Sequence, residues 1–578
     1  MEVLNSNFSS LFSEIEKAIN ASLFVSIDCE LSGLNIVRNI KAFDTPQEYY
    51  SKMRINSKDF LVLQYGISTF RYDEVDNNFK HQTYNFYTFR RPVNRNVPDI
   101  RFLCQSSSID FLIGHGFDFN KLFKEGISYL TEEEYDNYKA NIDQSYQTVL
   151  EGICSRKSED SCDTIQVPEN AVAFIDDIKS KIENFLTSDE TELQLPKCNA
   201  FFRKLIYQTK EEKYSNQIYL ETRQVDKDRV LFVTRLKSPE EEKQLAKKRY
   251  EENLKELDNF HGFSKLLKVL IKSGKLIIGH NLCLDFLHTI DKFLMPLPES
   301  YTEFKRVSHT LFSRVLDTKY MASSGLFKDL IQSTVLKHLL DTVSERPFGL
   351  PQIAPEKEGR AYEVNDSKEH EAGYDAFITG LSFIGMWKHL GLLDNRSDPK
   401  TFNSMDLLEP YINKLFLMNL SDNQYINLAG DDQLVSRDHV FHISFSEDWK
   451  LSNIQQLFSP FGNVYVSWLD ETSAYVALHK RDEAKMCYTT LKSGDGYIIK
   501  TFAERKMLLE NRFGHMQPKV VSSPIPSKKR KSSDSPVPKN QKREKTGIDD
   551  ALLKMTIEPE LEAQSKKSRT FTEDENWT

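Results

Sequence analysis

The segment FVSIDCELSG, from Phe24 to Gly33, predicts a buried β-strand because most of its residues are apolar or β-prone. Side chains alternate between the two faces of a strand, so Asp28 and Glu30 lie on the same face. Two like charges on a buried strand are costly unless a cation lies between them. The pair therefore indicates a metal site, with an edge strand that has a solvated acidic face as the alternative.

Two later segments offer further ligands for the same site. KLIIGHNLCLD, at residues 275–285, predicts a short strand that runs into a helix. Asn281 and Asp285 are four residues apart and would share one face of that helix. HEAGYDA, at residues 370–376, places a histidine before an apolar helix and Asp375 one turn inside it. Four acids and an imidazole make an oxygen-rich set, which suits Mg²⁺ or Mn²⁺ better than zinc.

The order Asp-x-Glu, Asn-x-x-x-Asp, His-x-x-x-x-Asp resembles the motif order of the DEDD exonuclease superfamily, in its His-containing subgroup. Within that superfamily the chain is similar to the poly(A)-specific ribonucleases, from the N-terminus to about residue 505. The segments that carry the similarity are IDCELSG at 27–33, CQSSSIDF at 104–111, RKLIYQT at 203–209, LDTK at 316–319 and HEAGYD at 370–375.

This resemblance implies a 3′-to-5′ exoribonuclease that removes poly(A) tails and releases 5′-AMP. In such chemistry two Mg²⁺ ions, for which Mn²⁺ can substitute, lie about 3.5–4 Å apart, activate a water and stabilise the departing 3′-oxygen. The expected metal ligands are Asp28, Glu30, Asp285 and Asp375. His370 is expected to accept the proton of the attacking water, because imidazole titrates close to neutral pH.

The resemblance also implies how RNA is bound. Leu34, Ile109 and Phe111 would contact the terminal nucleotides, and Lys319 would contact a phosphate. Stacking and apolar contacts tolerate any base, so a preference for adenine must come from pocket shape and strand geometry. Without the resemblance, the first three residues would be assigned to the core and Lys319 to the surface.

The distance between the first two motifs predicts a divided nuclease domain. Residues 28 and 285 are farther apart than one compact sheet requires. We therefore predict a nuclease domain in two parts, 1–160 and 245–405, separated by a small α/β module at 165–240. After the inserted module, a Glu-, Lys- and Arg-rich stretch from Pro239 to Leu257 predicts a solvated helix that leads back to the nuclease domain. An RNA-binding arm is the alternative.

The inserted module has its own predicted role. In the family it binds single-stranded nucleic acid and contains an Arg-x-x-x-His motif. The corresponding residues here are Arg203 and Tyr207, so a tyrosine replaces the histidine. The resemblance makes Arg203 the residue expected to contact RNA phosphate.

Residues 435–506 predict a βαββαβ unit, which is the order of the RNA-recognition motif. Ser473 stands where the motif normally has an aromatic residue, and Tyr475 keeps the other position, which argues against ordinary RNA binding on the sheet face. Trp468 resembles the tryptophan with which poly(A)-specific ribonucleases stack the 7-methylguanosine cap. A core or dimer-contact tryptophan is the alternative. The predicted strands are 440–445, 464–468, 474–478 and 497–502, and the predicted helices are 452–461, with Ser452 as its N-cap, and 483–491.

Composition agrees with an RNA enzyme of a reducing compartment. The net charge of −9 means that attraction for RNA must be local. Seven cysteines without a Cys-x-x-Cys pair predict neither a disulfide framework nor a zinc site. We identify no signal peptide and no long apolar span, which argues against a membrane protein.

The C-terminal residues 507–578 predict a disordered tail. Residues 519–548 contain nine Lys or Arg and two Asp or Glu, a net charge of +7. KKRK at 528–531 followed by KR at 542–543 resembles a bipartite nuclear-localisation signal, with an RNA-binding tail as the alternative. These features predict a protein of nucleus and cytoplasm.

The expected architecture is α/β: a ribonuclease-H-like mixed-sheet exonuclease core, an inserted single-strand nucleic-acid-binding module and a C-terminal RNA-recognition-motif domain. The expected partners are single-stranded RNA with a 3′ poly(A) tail, the 5′ mRNA cap and a second copy of the chain. One rival function is 3′ trimming of small non-coding RNA precursors, by a sibling group that tends to lack the RNA-recognition domain and to end in a membrane anchor. A second rival is a non-catalytic RNA-binding scaffold, against which the complete motif residues argue.

Overall fold

The computed structural model describes two units, Met1–Gln433 and a second unit from Leu434 onward. The described residues are 1–34, 40–92, 100–155, 166–215, 217–225, 228–236, 238–357, 359, 361–364, 366–394, 405–492 and 494–514. The basic segments at 528–531 and 542–543, predicted as a nuclear-localisation signal, lie outside these residues.

The first part of the predicted nuclease domain forms four strands and five helices. The strands are β1 (Glu2–Val3), β2 (Phe24–Leu31), β3 (Val62–Asp73) and β4 (Asn78–Tyr87). The helices are α1 (Asn5–Ala21), α2 (Pro46–Asp59), α3 (Ser106–Gly114), α4 (Phe119–Glu125) and α5 (Glu132–Ser155). The predicted strand at Phe24 is confirmed: β2 is buried along its length except at Asp28 and Glu30, which are half-buried on one face.

The inserted module folds around a core of its own. Its elements are α6 (Glu169–Thr187), β5 (Glu192–Gln194), α7 (Ala200–Lys213), β6 (Ile218–Val225) and β7 (Asp228–Arg235). Buried apolar residues three or four positions apart along α6, from Ala171 to Phe185, pack against α7 and the strands.

Helix α8 (Pro239–Ser273) leads the chain back to the predicted nuclease domain. It begins where Ser238 Oγ accepts a hydrogen bond from the Glu241 backbone N–H, and it is kinked at Gly262, where φ is 37°. The predicted charged helix is therefore present, and it continues sixteen residues past Leu257. It is not a fully solvated helix, because Tyr250 stacks on Tyr146 of α5 at 4.5 Å between ring centroids.

The second part of the predicted nuclease domain completes a nine-stranded mixed sheet. Its elements are β8 (Leu276–Gly279), α9 (Cys283–Thr289), α10 (Tyr301–Leu311), β9 (Val315–Asp317), α11 (Thr318–Ser323), α12 (Leu336–Ser344), β10 (Ile353–Pro355), α13 (Ala372–Leu393), β11 (Lys414–Phe416) and β12 (Tyr425–Asn427). The sheet order is β1-β4-β3-β2-β8-β9-β11-β12, with β10 also paired to β4. Strand β2 is antiparallel to β3 and parallel to β8, so it lies in the middle of the sheet.

Helix α13 is the central core helix, and it corrects one sequence expectation. Within the described residues, it alone is long and apolar enough to cross a membrane, although the sequence analysis expected no long apolar span. Its apolar stretch is 72% buried inside the protein. The helix packs on the sheet, where Ser26 Oγ donates a hydrogen bond to the Ala376 carbonyl at 2.6 Å. Burial on nearly every face explains an apolar composition all round the helix.

The second unit has the predicted βαββαβ order, with antiparallel sheet order β14-β15-β13-β16. Its elements are β13 (Val440–Phe445), α14 (Leu451–Phe458), β14 (Val464–Asp470), β15 (Ser473–Leu478), α15 (Ala484–Leu491), β16 (Tyr497–Thr501) and α16 (Phe502–Gly514). The prediction of Ser452 as N-cap is wrong. The helix begins one residue earlier, because the Lys450 backbone N–H donates to Asn453 Oδ1 at 2.9 Å.

Helix α16 is an element that the sequence analysis did not predict. It starts at Phe502, which had been assigned to the last strand. The Phe502 ring contacts Tyr475 on the sheet, with 5.4 Å between centroids. The one aromatic position retained from the RNA-recognition pattern is therefore engaged within the unit.

Candidate active site

Strand β2 presents Asp28 and Glu30 toward the first turn of α13. The pairing register puts Asp28 opposite Gly66 of β3 and Glu30 opposite Gln64. A β-carbon on Gly66 would lie 1.9 Å from the Ala372 carbonyl oxygen. The start of α13 can approach Asp28 this closely only because residue 66 lacks a side chain.

Two amide side chains fix the start of α13. The first N–H groups of a helix have no partner within the helix, so a buried helix start needs acceptors from elsewhere. Gln64 Oε1 accepts from the Ala372 N–H at 2.9 Å, and Asn85 Oδ1 accepts from the Gly373 N–H at 3.0 Å. These bonds hold Asp375, in the same turn, beside the strand acids.

His370 precedes α13 with a left-handed backbone, at φ 67°. In this conformation its backbone N–H donates to Asp375 Oδ2 at 3.1 Å. One ligand atom from each of Glu30, His370 and Asp375 lies within 4.8 Å of the other two. The predicted position of the histidine before the helix, with the acid one turn inside, is confirmed.

Asp285 enters the site from α9, and a buried carboxylate holds that helix in place. The expectation that Asn281 and Asp285 share a helical face is wrong: α9 begins at Cys283, and Asn281 lies before it at φ 56°. The cause is Asp317, which accepts the N–H groups of Asn281 at 3.0 Å and Leu282 at 2.9 Å. The same carboxylate also accepts N–H groups from Lys319 and Phe416.

The four acids share one low-dielectric environment. Burial, followed by the charges of Asp375, Asp285 and Glu30, raises the pKa of Asp28 well above its usual range. Burial followed by Asp375 and Asp285 does the same to the pKa of Glu30. The pKa of Asp285 is raised by burial and by Asp317. Burial raises the pKa of Asp375 to about 7. Carboxylates that resist ionisation together gain most from a bound cation.

The pKa of His370 is lowered rather than raised. Burial first, and then the neighbouring His115, lower its pKa to about 4. The imidazole is therefore neutral at pH 7 and has a lone pair with which to accept a proton. Its ring contacts Phe111 at 4.6 Å between centroids, so Phe111, which is expected to contact a terminal nucleotide, lies beside His370.

The other residues expected to bind the terminal nucleotides lie nearby in the fold. Ile109 and Phe111 are half-buried on α3. The Leu34 backbone N–H donates to Gln105 Oε1 at 3.1 Å, which ties the end of the β2 segment to the start of α3. Ile109 packs against the same buried cluster as Phe111, whereas Leu34 packs against the main core of the sheet.

Lys319 is buried, contrary to the surface position that its chemistry alone would predict. It is 5% exposed, and burial lowers the pKa of its ammonium group. Its Nζ lies 5.8 Å from the centre of the Phe416 ring. Among the residues that the structure describes, no carboxylate forms an ion pair with it.

Arg203 and Trp468 lie outside this cluster. Arg203 is in the inserted module, where Nη1 donates to the Cys198 carbonyl at 2.7 Å. Trp468 is on β14 of the second unit, 37% exposed, with its ring 5.4 Å from that of Phe445. A core position for Trp468 does not agree with this exposure.

Sequence reasoning missed the residues that assemble the site. Gly66, Gln64 and Asn85 bring α13 to β2, and Asp317 orders the turn before α9. A glycine inside an apolar strand is a signal for close backbone approach, so Gly66 could have been found. His115 carried no such signal.

Comparison with known proteins identifies the family. The model described as CAF1 family ribonuclease matches residues 3–383. The chain belongs to the CAF1 ribonuclease family. An RNA binding domain model matches residues 430–507, so this CAF1-family ribonuclease carries an RNA-binding domain with the antiparallel sheet described above.

Relatives that match most of the chain indicate which group of ribonucleases it resembles. The poly(A)-specific ribonuclease PARN of Homo sapiens is 42% identical over 514 residues, which cover 87% of this chain and 80% of that protein. The PARN of Danio rerio is 40% identical over 512 residues, covering 87% and 77%. The pre-piRNA 3′-exonuclease trimmer of Bombyx mori is 25% identical over 539 residues, covering 90% and 97%. The predicted kinship with poly(A)-specific ribonucleases is confirmed, and neither rival function is favoured.

Proposed function

We propose that this CAF1-family ribonuclease shortens 3′ poly(A) tails from the 3′ end and releases 5′-AMP. The observation that carries the proposal is the convergence of Asp28, Glu30, Asp285 and Asp375 beside a neutral His370. The names of its 40–42% identical relatives support poly(A) as the substrate.

The donor set fits divalent metal ions. Burial raises the pKa of all four carboxylates, and the charges of Asp285 and Asp375 raise those of Asp28 and Glu30 further. Glu30, His370 and Asp375 bring ligand atoms within 4.8 Å of one another. We propose that the four acids hold two Mg²⁺ ions, for which Mn²⁺ can substitute. When bound, such ions activate water and neutralise developing charge on the phosphate.

The side chains of the site divide the remaining tasks. His370 accepts the proton of the attacking water, which its lowered pKa of about 4 permits at neutral pH. Asp375 accepts the His370 backbone N–H and so couples the position of this base to the metal ligands.

The RNA end is held by neighbouring residues. Phe111, which touches the His370 ring, contacts the terminal nucleotides together with Ile109 and Leu34. Ile109 packs against the same buried cluster as Phe111, and Leu34 is tied to the start of α3 through Gln105. Lys319 contacts a phosphate, because a buried ammonium group with a lowered pKa gains most from an anionic partner. Arg203 contacts phosphate in the inserted module, through donors other than the one bound to Cys198.

The second unit and the tail bear on two further properties, the binding partners of the protein and its location in the cell. We propose that Trp468 stacks the 7-methylguanosine cap, supported by its exposed indole. We propose a homodimer, which the family resemblance supports. We also propose that the protein is distributed between nucleus and cytoplasm, which the basic segment at 528–543 supports. The proposed organisation is a nuclease at 1–160 and 245–405, an insertion at 165–240 and an RNA-binding domain at 435–506. The tail predicted at 507–578 begins later than expected, because α16 continues to Gly514.

The test is digestion of 5′-labelled RNA with a 3′ oligo(A) tail, beside an oligo(U) control, in Mg²⁺ or EDTA. Wild type should give an Mg²⁺-dependent ladder that favours oligo(A). Asp28→Asn should lose it, whereas the matched control Asp341→Asn, at an exposed position of α12, should not. Equal loss of both tails would refute the poly(A) preference, and cleavage by Asp28→Asn would refute the assigned site.

A further inference from the structure

Three rings meet on the outer side of the candidate base. The centroid of the His370 ring lies 4.5 Å from that of His115 and 4.6 Å from that of Phe111, with interplanar angles of 70° and 74°. Phe111 and His115 are themselves 4.3 Å apart. Each ring of the cluster therefore touches the other two.

The His370 ring depends on this packing for its orientation. Within the described part of the chain, its imidazole nitrogens have no hydrogen-bond partner, while its backbone N–H is committed to Asp375. A catalytic histidine is ordinarily oriented by a hydrogen bond to its second ring nitrogen. In this protein, edge-to-face contacts with Phe111 and His115 stand in for that hydrogen bond.

Hydrogen bonds anchor His115 at the end of α3. It ends α3, where its backbone N–H donates to the carbonyls of Phe111 and Leu112 at 3.2 Å each. Its ring Nδ1 lies 2.9 Å from the Phe111 carbonyl oxygen, so the imidazole is tied to the helix end. The side chain is nevertheless exposed, so it adds little to the core.

We propose that His115 is a positioning residue, whose anchored ring, together with Phe111, holds the His370 imidazole toward Glu30 and Asp375. The inference rests on the proposed role of His370 as proton acceptor. If the ring were free to turn, the base would spend part of its time away from the water that it must deprotonate, and kcat would fall while RNA binding stayed intact.

Three substitutions separate the ring from its hydrogen bond. His115→Ala removes both, His115→Asn keeps a donor for the Phe111 carbonyl without the ring, and His115→Phe keeps the ring without the donor. We expect kcat on oligo(A) RNA to fall about tenfold in His115→Ala and His115→Asn, part of the 10²–10⁴ that a positioned base supplies. His115→Phe should stay within about threefold of wild type, and KM should change less than about twofold in all three, as expected for loss of an interaction made only in the transition state.

A double-mutant cycle with His370→Ala tests whether the effect passes through His370. Single-turnover rates with excess enzyme should show no further loss when His115→Ala is added to His370→Ala. A further loss would overturn the proposal, as would an unchanged kcat in His115→Ala, an increase confined to KM, or a loss in His115→Phe equal to that in His115→Ala. If His370→Ala itself kept the wild-type rate, the assigned base would be wrong, which is a separate failure.

Discussion

Substituting Gly66 by alanine tests whether one missing side chain allows the site to assemble. The added β-carbon would lie 1.9 Å from the Ala372 carbonyl oxygen, 2.2 Å from the carbonyl carbon and 2.7 Å from the Gly373 nitrogen. All three atoms are backbone, so no flexible side chain can move aside. Even the shortest tolerated contact is 3.0 Å, so the start of α13 must move by about 1.1 Å.

A shift of this size separates the two halves of the site. Asp28 is opposite Gly66, whereas Asp375 moves with α13. A displacement of about 1 Å in a catalytic group costs about 10²-fold in rate. Overpacking a core also costs about 1–3 kcal/mol of folding free energy. We therefore expect kcat on oligo(A) to fall about a hundredfold, with a moderately lower melting temperature.

The assay is single-turnover digestion of oligo(A) RNA over a range of Mg²⁺ concentrations, beside thermal melting of the same preparation. Gly114→Ala is the matched control, since its added β-carbon would have no atom within 4 Å and it lies in α3, close to the site. Gly114→Ala should keep wild-type rate. Wild-type rate in folded Gly66→Ala would refute the argument that this glycine sets the approach of α13.

Three further outcomes are expected. Because the pKa of Asp375 is about 7 when folded, against an ordinary 3.8, the folded metal-free protein binds more protons between these pH values and loses stability as pH rises through them. In EDTA, the melting temperature of Asp375→Asn should therefore rise relative to wild type from pH 4 to pH 7, and a constant difference would contradict the shift. Asp317→Asn replaces an acceptor of four N–H groups with a side chain that can accept on one oxygen, which should cost about 3–6 kcal/mol in urea unfolding; a loss below about 1 kcal/mol would contradict this. Trp468→Ala should abolish calorimetric binding of 7-methyl-GTP by the full chain, whereas Tyr465→Ala, another exposed aromatic of β14, should retain it; equal loss in both would point to general disruption of the strand.

Local patterns were enough for much of the architecture. The two-residue period put Asp28 and Glu30 on one face of β2, and the apolar run after His370 predicted α13. The alternation of short apolar segments gave the βαββαβ order of the second unit. Each of these depends on residues close together in the chain, whose spacing is printed in the sequence.

Local patterns failed where a distant group competed with propensity. Asn281 was expected inside a helix, but Asp317, 36 residues away, accepts its N–H and holds it in a left-handed turn. Its charge alone would place Lys319 at the surface, but the packing around β9 buries it. Neither outcome can be read from neighbours in the chain, because each follows from what the folded protein places beside the residue.

The sequence by itself therefore determined which residues are the candidate ligands and the candidate base, since motif chemistry is local. Only the tertiary structure decided that they meet. Gln64 and Ala372 are 308 positions apart, yet their hydrogen bond sets the start of α13 against β2. The pKa of Asp375, and the ring of His115 against His370, follow from the same packing. Burial and electrostatic coupling depend on distances through space, and a linear pattern does not contain those distances.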